Sequence, residues 1–269
     1  MTALLDIKNL TIGTPDIQLV KGIDLTIAPG ERVGLIGESG SGKSLTAMAA
    51  TGLLASGIAA GGSVVLGGRQ VIGAPESLLN TLRGRVAAFV FQEPLTALDP
   101  LMRIDRQIAE PVKRRAARNG QTLSREAVHQ AVLALMQDVA LPDPERIARA
   151  YPHEISGGQR QRVAIAMALA CHPDLLIADE PTTALDVTTQ AEILALLDRL
   201  VRERNMALLF ISHDLPVVAT IVDRVVVLRQ GEIVEVGAVA EVFSRPQHDY
   251  TKSLVSAAHA FDAALGGAK

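Results

Sequence analysis

The sequence predicts an α/β protein with a parallel sheet, an antiparallel β subdomain on the N-terminal side and an inserted α-helical subdomain. Short apolar runs alternate with helical stretches along the chain, which is typical of a parallel sheet. Between Pro94 and Pro152 the sequence changes to charged, amphipathic helix. We expect one domain over 1–269, with an α/β core in 1–92 and 163–240, a helical subdomain in 93–162 and a C-terminal tail in 241–269.

The individual elements follow from local patterns. Apolar residues alternate with polar ones in LLDIKNLTI and LVKGIDLTI, which predicts strands that a turn at Pro29-Gly30 ends. Further strands are predicted for RVGLIG, VAAFVFQ, LLIADE and ALLFISHD. Helices are predicted for SLTAMAATGLL, AVHQAVLALMQDVAL, QRVAIAMALAC and QAEILALLDRLVRER, and a short helical tail for 243–269.

Composition excludes several classes of protein. The net charge of −3 gives no reason to expect a nucleic acid or an anionic membrane as partner, and KRRAAR at 113–118 is interpreted as a solvated helix face. A single cysteine, Cys171, excludes a disulfide framework and a zinc or iron–sulfur cage within the chain. The N-terminal residues carry Asp6 and no apolar core of a signal peptide, which favours the cytoplasm.

An uncharged stretch at 45–68 is long enough to cross a membrane. However, it contains six glycines, and the pairs Gly61-Gly62 and Gly67-Gly68 flank the short apolar run SVVL. A buried helix followed by a β-hairpin is therefore the preferred prediction.

GESGSGKS at 37–44 fits the pattern G-x-x-x-x-G-K-[ST] between a predicted strand and a predicted helix. Such a loop turns backbone N–H groups toward phosphate oxygens, and the start of the helix adds a partial positive charge. Lys43 is expected to reach the β and γ phosphates, and the Ser44 hydroxyl to bind Mg²⁺. The predicted nucleotide-binding residues are Gly37, Glu38, Ser39, Gly40, Ser41, Gly42, Lys43 and Ser44.

LLIADE at 175–180 ends a buried strand on two adjacent carboxylates, just before Pro181. The carboxyl ends of strands in an open parallel sheet border the ligand crevice. Asp179 is therefore a candidate for the Mg²⁺ shell, and Glu180 for polarising the water that attacks the γ-phosphate.

A second glycine-containing loop, ISGGQ at 155–159, precedes another predicted helix. Ser156, Gly157 and Gly158 would form a second anion site there. The inserted helices separate it from the first loop, so two chains arranged head to tail would be needed for both loops to contact one ATP. The alternative is a plain capping motif in which Ser156 is the N-cap.

Together these motifs resemble the nucleotide-binding subunits of ABC transporters. The order of motifs is the family's: 37–44, Gln92, the signature Ser156–Gln159, Asp179-Glu180, Ala184-Leu185-Asp186 and His213. The resemblance implies an ATPase in which Gln92 contacts Mg²⁺ and senses the γ-phosphate, and His213 holds the γ-phosphate. It also implies that Asp186 lies at the contact between two cassettes, and it adds Gln159 to the signature loop that acts in trans.

Longer segments resemble the branch that imports peptides, nickel and metal chelates: FQEPLTALDP, YPHEISGGQRQR, ADEPTTALDV and RPQHDYTKSLVSA. That branch implies two membrane-spanning permease subunits, a second ATP-binding subunit, identical or paralogous, and a substrate-binding protein that acts indirectly. The chain would lie peripherally on the cytoplasmic face of the inner membrane, with a groove around 94–110 that receives the permease.

Two features depart from the family pattern. No aromatic residue precedes Phe89, so an aliphatic side chain, Ile12, Ile17 or Leu19, would contact adenine. The tail lacks the cysteine cluster of many peptide members, which favours the nickel-like ones.

The alternative class is an ABC-type ATPase that acts on nucleic acid in repair or chromosome organisation. Such proteins place a long coiled coil or zinc modules between the two loops, whereas this chain has neither sustained heptads nor enough cysteines.

Overall fold

The computed structural model describes the backbone of residues 3–266 and the side chains of residues 3–258. These residues form two compact units. The first unit consists of the described parts of Met1–Leu82 and Ala207–Lys269, and the second is Arg83–Met206. The chain thus leaves the first unit once and later returns to it.

The strands of the described residues are β1 (Leu5–Gly13), β2 (Gln18–Ile27), β3 (Arg32–Ile36), β4 (Ala59–Leu66), β5 (Arg69–Gln70), β6 (Ala87–Val90), β7 (Leu175–Asp179), β8 (Ala207–Ser212), β9 (Arg224–Arg229) and β10 (Glu232–Ala238). The helices are α1 (Lys43–Thr51), α2 (Glu76–Leu82), α3 (Pro94–Ala97), α4 (Ile104–Arg118), α5 (Arg125–Asp138), α6 (Pro144–Arg149), α7 (Gly157–Leu169), α8 (Val187–Glu203), α9 (Leu215–Ile221), α10 (Val239–Ser244) and α11 (Asp249–Gly266).

The first unit contains an antiparallel sheet with the strand order β2-β1-β4-β5. In β1 the buried residues are Leu5 and Ile7, then Leu10 and Ile12, so the alternation skips one residue between the two pairs. The skip occurs at Asn9, which has a φ of 48° and lies where the pairing register shifts. This bulge returns both halves of β1 to the same buried face.

The first unit also contains four further strands in the order β10-β9-β3-β8. β3 is parallel to both β8 and β9, and β10 is antiparallel to β9. Every residue of β8 is buried, and Phe210 at its centre lies opposite Gly34 of β3. A strand that is buried on both faces reads as a continuous apolar run, which is why the sequence revealed β3 and β8.

β9 and β10 form a hairpin that the sequence analysis did not predict. Their connection is Gln230 and Gly231, with φ values of 50° and 83°. Two consecutive positive φ values are typical of the type I′ turn that joins antiparallel strands. The missed signal was the apolar run RVVVL followed by a Gln-Gly pair.

The second unit contains the predicted helical region. β6 and β7 pair in parallel, and α4 contacts α5, α6 and α7. β6 ends at Val90, so Gln92 lies in the following loop and not at a strand end as predicted. Pro94 is the first residue of α3, and because a proline has no N–H to donate, the chain leaves the sheet before it.

The uncharged stretch at 45–68 forms most of α1 and then β4, which pairs with β5, so the predicted helix and hairpin are confirmed. No helix in the described part of the chain has both the length and the apolar character needed to span a bilayer. The predicted helical tail, 243–269, is observed as the end of α10 and as α11, and its residues 267–269 lie outside the described residues. α11 contacts α9.

Phe210→Ala tests the core of the first unit. Phe210 is fully buried, so its truncation leaves a cavity, and we expect the free energy of unfolding to fall by about 3–5 kcal/mol. Phe243→Ala is the matched control, since Phe243 in α10 is only half-buried. Urea unfolding followed by circular dichroism measures both changes. Equal losses would contradict this assignment of the core.

Candidate nucleotide site

The predicted phosphate loop lies between the end of β3 and the start of α1, as its motif requires. Gly37 has a φ of 151°, and a Cβ built there would lie 2.1 Å from the carbonyl oxygen of Leu228. No other residue fits this position without moving β9. The close approach of β9 therefore fixes where the loop begins.

Lys43 lies inside the loop and not on its surface. The side chain is 5% exposed, and Nζ donates to the carbonyl oxygens of Gly37 at 2.8 Å and Glu38 at 2.9 Å. A buried ammonium needs such partners, because losing water without replacement is costly. The loop thus holds a positive charge beside the N-terminus of α1, where an anion is favoured.

Two contacts from later segments of the first unit support the loop. The N–H of Gly231, in the β9–β10 turn, donates to the carbonyl oxygen of Ser41 at 3.1 Å. The N–H of Glu38 donates to the phenolic oxygen of Tyr250, in the first turn of α11, at 2.7 Å. Sequence reasoning missed Tyr250, since nothing in the sequence places a residue 212 positions away on the loop.

The second unit brings Gln92 and Glu180 together. Gln92 Nε2 donates to Glu180 Oε2 at 3.3 Å, and the Thr183 hydroxyl donates to the same oxygen at 3.0 Å. Glu180 has a φ of 45°, an uncommon conformation for a residue other than glycine. Asp179 ends β7 and is 5% exposed. The strand end thus presents one buried and one hydrogen-bonded carboxylate.

Ser156 is the N-cap of α7. Its Oγ accepts from the N–H of Gln159 at 3.2 Å, and the Gln159 side chain accepts from the N–H of Ser156 at 3.0 Å. The capping alternative is therefore correct as a local description. It does not exclude an anion site, because Ser156 and Gly157 are exposed and the first N–H groups of a helix have no intrahelical acceptor.

Asp186 is joined to this signature loop through Thr189. Asp186 caps α8 by accepting from the Thr189 N–H at 3.0 Å and the Thr189 hydroxyl at 2.7 Å. The backbone N–H, followed by the hydroxyl, lowers the pKa of Asp186 below its ordinary value. A Cβ on Gly158 would lie 2.5 Å from Thr189 Cγ2, so the loop and the start of α8 are in close contact.

His213 is exposed in the loop between β8 and α9. The next residue, Asp214, accepts from the N–H of Val217 at 3.3 Å and so caps α9. His213 is thus carried at the carboxyl end of a fully buried strand of the first unit.

Burial excludes one of the three aliphatic residues that were predicted to contact adenine. Ile12 is fully buried and has no surface to offer a base. Ile17 is 61% exposed, and Leu19 is half-buried. Ile17 is the more exposed of the remaining two candidates and so offers the larger surface to a base.

Known proteins identify the class to which this fold and these motifs belong. A bacterial ABC transporter cassette solved as a dimer is 30% identical and superposes with a TM-score of 0.77 over 87% of this chain and 98% of that one. cbiO1 of Clostridium perfringens, described as part of an ABC transporter complex, is 25% identical with a TM-score of 0.75, over 91% and 92% of the two chains. The fold is therefore that of an ATP-binding cassette.

Sequence comparison gives the family. The family model described as ABC transporter matches residues 20–183, and the chain belongs to that family. The oligopeptide transport ATP-binding protein OppD of Escherichia coli (strain K12) is 44% identical over 97% of this chain and 77% of its own length. A putative peptide import ATP-binding protein of Brucella ovis is 47% identical over 94% of this chain and 76% of its own length. The chain is thus an ATP-hydrolysing transporter subunit.

Gly158→Ala tests the contact between the signature loop and α8. The added methyl would overlap with Thr189 Cγ2, so we expect the free energy of unfolding to fall by about 1–3 kcal/mol. Thr189→Ser removes Cγ2 and keeps the hydroxyl that binds Asp186, so the double variant should recover most of the loss.

Gly157→Ala is the control for this pair, because its Cβ would lie 3.6 Å from Leu185, an ordinary contact distance. We expect it to leave stability unchanged or slightly raised, since alanine favours helix over glycine. Chemical unfolding measures all four variants. Equal destabilisation by the two alanines, or no recovery in the double variant, would contradict the contact.

Proposed function

We propose that this chain is the ATP-hydrolysing subunit of an ABC importer that takes up peptides. Its reaction would take place in a head-to-tail pair of cassettes, each supplying a phosphate loop and a signature loop. One observation carries the proposal: a buried lysine is held inside a glycine loop of the first unit, while the second unit exposes a separate helix N-terminus at Ser156 and Gly157.

The phosphate loop, 37–44, would bind the triphosphate. Lys43 now donates to two carbonyls of its own loop, and a phosphate oxygen would replace one of them as acceptor. The loop therefore needs little rearrangement to accept an anion, because the positive charge is already in place. ATP is the nucleotide that the family binds.

Mg²⁺ would be held by oxygen donors together with the phosphates, namely Ser44, Gln92 and Asp179. A hydroxyl, an amide oxygen and a carboxylate fit this ion, which prefers oxygen and keeps part of its shell for phosphate. Asp179 supports the assignment because it is a buried carboxylate at a strand end. When bound, the ion would neutralise charge on the phosphates.

Hydrolysis would follow from the position of Glu180. Its carboxylate would orient a water molecule and withdraw its proton as the water oxygen bonds to the γ-phosphorus and the bond to the β-phosphate oxygen breaks. Gln92 and Thr183 both donate to Oε2, which would hold the carboxylate in one orientation for that step. His213 would hold the γ-phosphate.

The signature loop of the partner cassette would complete the site, with residues Ser156, Gly157, Gly158 and Gln159. Asp186 would lie at the contact between the two chains. Thr189 contacts both Asp186 and Gly158. A shift of Asp186 at the dimer contact would therefore move the signature loop as well. We expect the partner to be a second copy of this chain or a paralogous cassette.

The assembly would include two permease subunits and, indirectly, a substrate-binding protein, with the chain on the cytoplasmic face of the inner membrane. Exposed Leu95 and Leu101 lie in the 94–110 region that we assign to the permease contact. Functionally, we divide the chain into a core (1–92 and 163–240), a signature subdomain (93–162) and a tail (241–269). The relatives reported above are named for peptides, which supports peptides over nickel or metal chelates as the substrate class.

Mixing two inactive variants tests the composite site. Lys43→Ala damages the loop and Ser156→Arg damages the signature, so each alone should lose at least about 90% of ATPase activity. In a mixed dimer, one site combines the intact loop of the second variant with the intact signature of the first. We therefore expect the mixture to regain part of the wild-type activity.

The control is the Lys43→Ala, Ser156→Arg double variant mixed with wild type, in which every mixed dimer has only damaged composite sites. Phosphate release is measured at several protein concentrations. A mixture of the single variants no more active than the sum of its parts would contradict a site that two copies of this chain share.

Glu180→Gln tests the base. The amide cannot take a proton, so we expect turnover to fall at least about 100-fold while ATP binding persists and closed dimers accumulate. Size-exclusion chromatography with ATP and a phosphate-release assay measure the two effects. Glu203→Gln is the matched control, since Glu203 pairs with Arg199 on the surface. We expect its turnover and its ATP binding to equal those of the wild type. Undiminished turnover in Glu180→Gln would refute the assignment.

A further inference from the structure

Tyr250 makes a contact with the phosphate loop that the proposed mechanism does not use. The residue lies in the first turn of α11, and its phenolic oxygen accepts from the N–H of Glu38 at 2.7 Å. The guanidinium of Arg229, at the end of β9, lies over the ring at 5.0 Å from its centre. A chain segment far from the loop in sequence therefore binds the loop's first variable position.

Glu38 is held on both sides of its α-carbon. Its carbonyl oxygen accepts from Lys43 Nζ at 2.9 Å, and its N–H donates to Tyr250 at 2.7 Å. These two bonds respond differently to a phosphate. The ammonium of Lys43 is the group that a phosphate oxygen would attract, whereas the N–H of Glu38 is already bound to Tyr250 and can keep that partner when the rest of the loop binds phosphate.

The phenol is itself held in place. Glu235 of β10 accepts from the N–H groups of Gln247 at 2.8 Å and His248 at 3.0 Å, which anchors the segment before α11. His248 Nδ1 then accepts from the N–H of Tyr250 at 3.1 Å. These bonds fix the start of α11. They therefore also fix the position of the Tyr250 phenolic oxygen relative to the phosphate loop.

The phenol of Tyr250 is neutral at neutral pH, and its surroundings favour that state. Burial raises the pKa of Tyr250 above its ordinary value, against the opposing effects of the Glu38 N–H and of Arg229. A neutral phenol oxygen accepts a hydrogen bond from a backbone N–H without bringing a negative charge next to the triphosphate. The contact is therefore compatible with an occupied phosphate loop.

We propose that Tyr250 is a positioning residue that keeps the phosphate loop in its anion-binding conformation when Lys43 exchanges one of its loop carbonyls for a phosphate oxygen. Without this contact, the first part of the loop would lose ordering at the moment of binding, and part of the binding free energy would be spent on restoring it. The inference rests on the proposed role of residues 37–44.

Tyr250→Phe tests the inference, because it removes the acceptor oxygen and keeps the ring under Arg229. We expect the Kd and KM for ATP to rise about 3- to 10-fold, as for the loss of one hydrogen bond, while kcat stays within about twofold. A role in overall folding would instead lower kcat and the active fraction together. Ser253→Ala, which removes a hydroxyl of α11 that bonds only within the helix, should match wild type.

A second measurement reports on the loop directly. In the full-length protein without nucleotide, amide hydrogen exchange at Glu38 should accelerate at least about 5-fold in Tyr250→Phe and not in Ser253→Ala. Unchanged exchange, or faster exchange with unchanged ATP affinity, would overturn the positioning role. Lys43→Ala, measured in parallel, separates the two proposals: normal ATP affinity there would reject the loop's function, whatever Tyr250→Phe does.

Discussion

The buried ammonium of Lys43 is the constraint on which the rest of the first unit depends. A charge that is 5% exposed must be hydrogen-bonded, and the loop provides two carbonyl oxygens for it. To turn those carbonyls inward, the loop must start with Gly37 at a φ of 151°, close against β9. β9, the β9–β10 turn and α11 all contact this loop and support it.

The distinctive feature of the second unit is the exposed N-terminus of α7. It stays exposed, although helix ends are normally satisfied by their caps. The Ser156–Gln159 capping box satisfies two groups, and contact with Thr189 fixes the loop against α8. In the proposed pair of cassettes, the phosphate loop of one chain and the signature loop of the other would together complete one nucleotide site.

Much of this arrangement could be predicted because it depends on local signals. GESGSGKS between an apolar strand and a helix, and LLIADE before Pro181, identify their elements from neighbouring residues alone. The β9–β10 hairpin also has a local signal, the apolar run RVVVL before Gln230-Gly231, although the sequence analysis did not predict it. The Tyr250 contact could not be found from local signals, because it depends on which distant segments meet and no pattern within residues 249–252 indicates that a phenol will reach Glu38. Similarly, Ile12 and Ile17 look alike in sequence, but only the sheet decides which of them is buried.

The cap of α7 has a chemical consequence for whatever approaches it. The Ser156 oxygen already accepts a hydrogen from the backbone of Gln159, so the hydroxyl's own proton is left to be given away. Together with the N–H groups of Gly157 and Gly158 at the start of the helix, this hydroxyl makes hydrogen-bond donors the main groups that the surface offers. Donor groups of this kind disfavour ammonium and guanidinium groups and favour negatively charged oxygens. The sign of a ligand's charge is therefore selected by the cap of α7 itself.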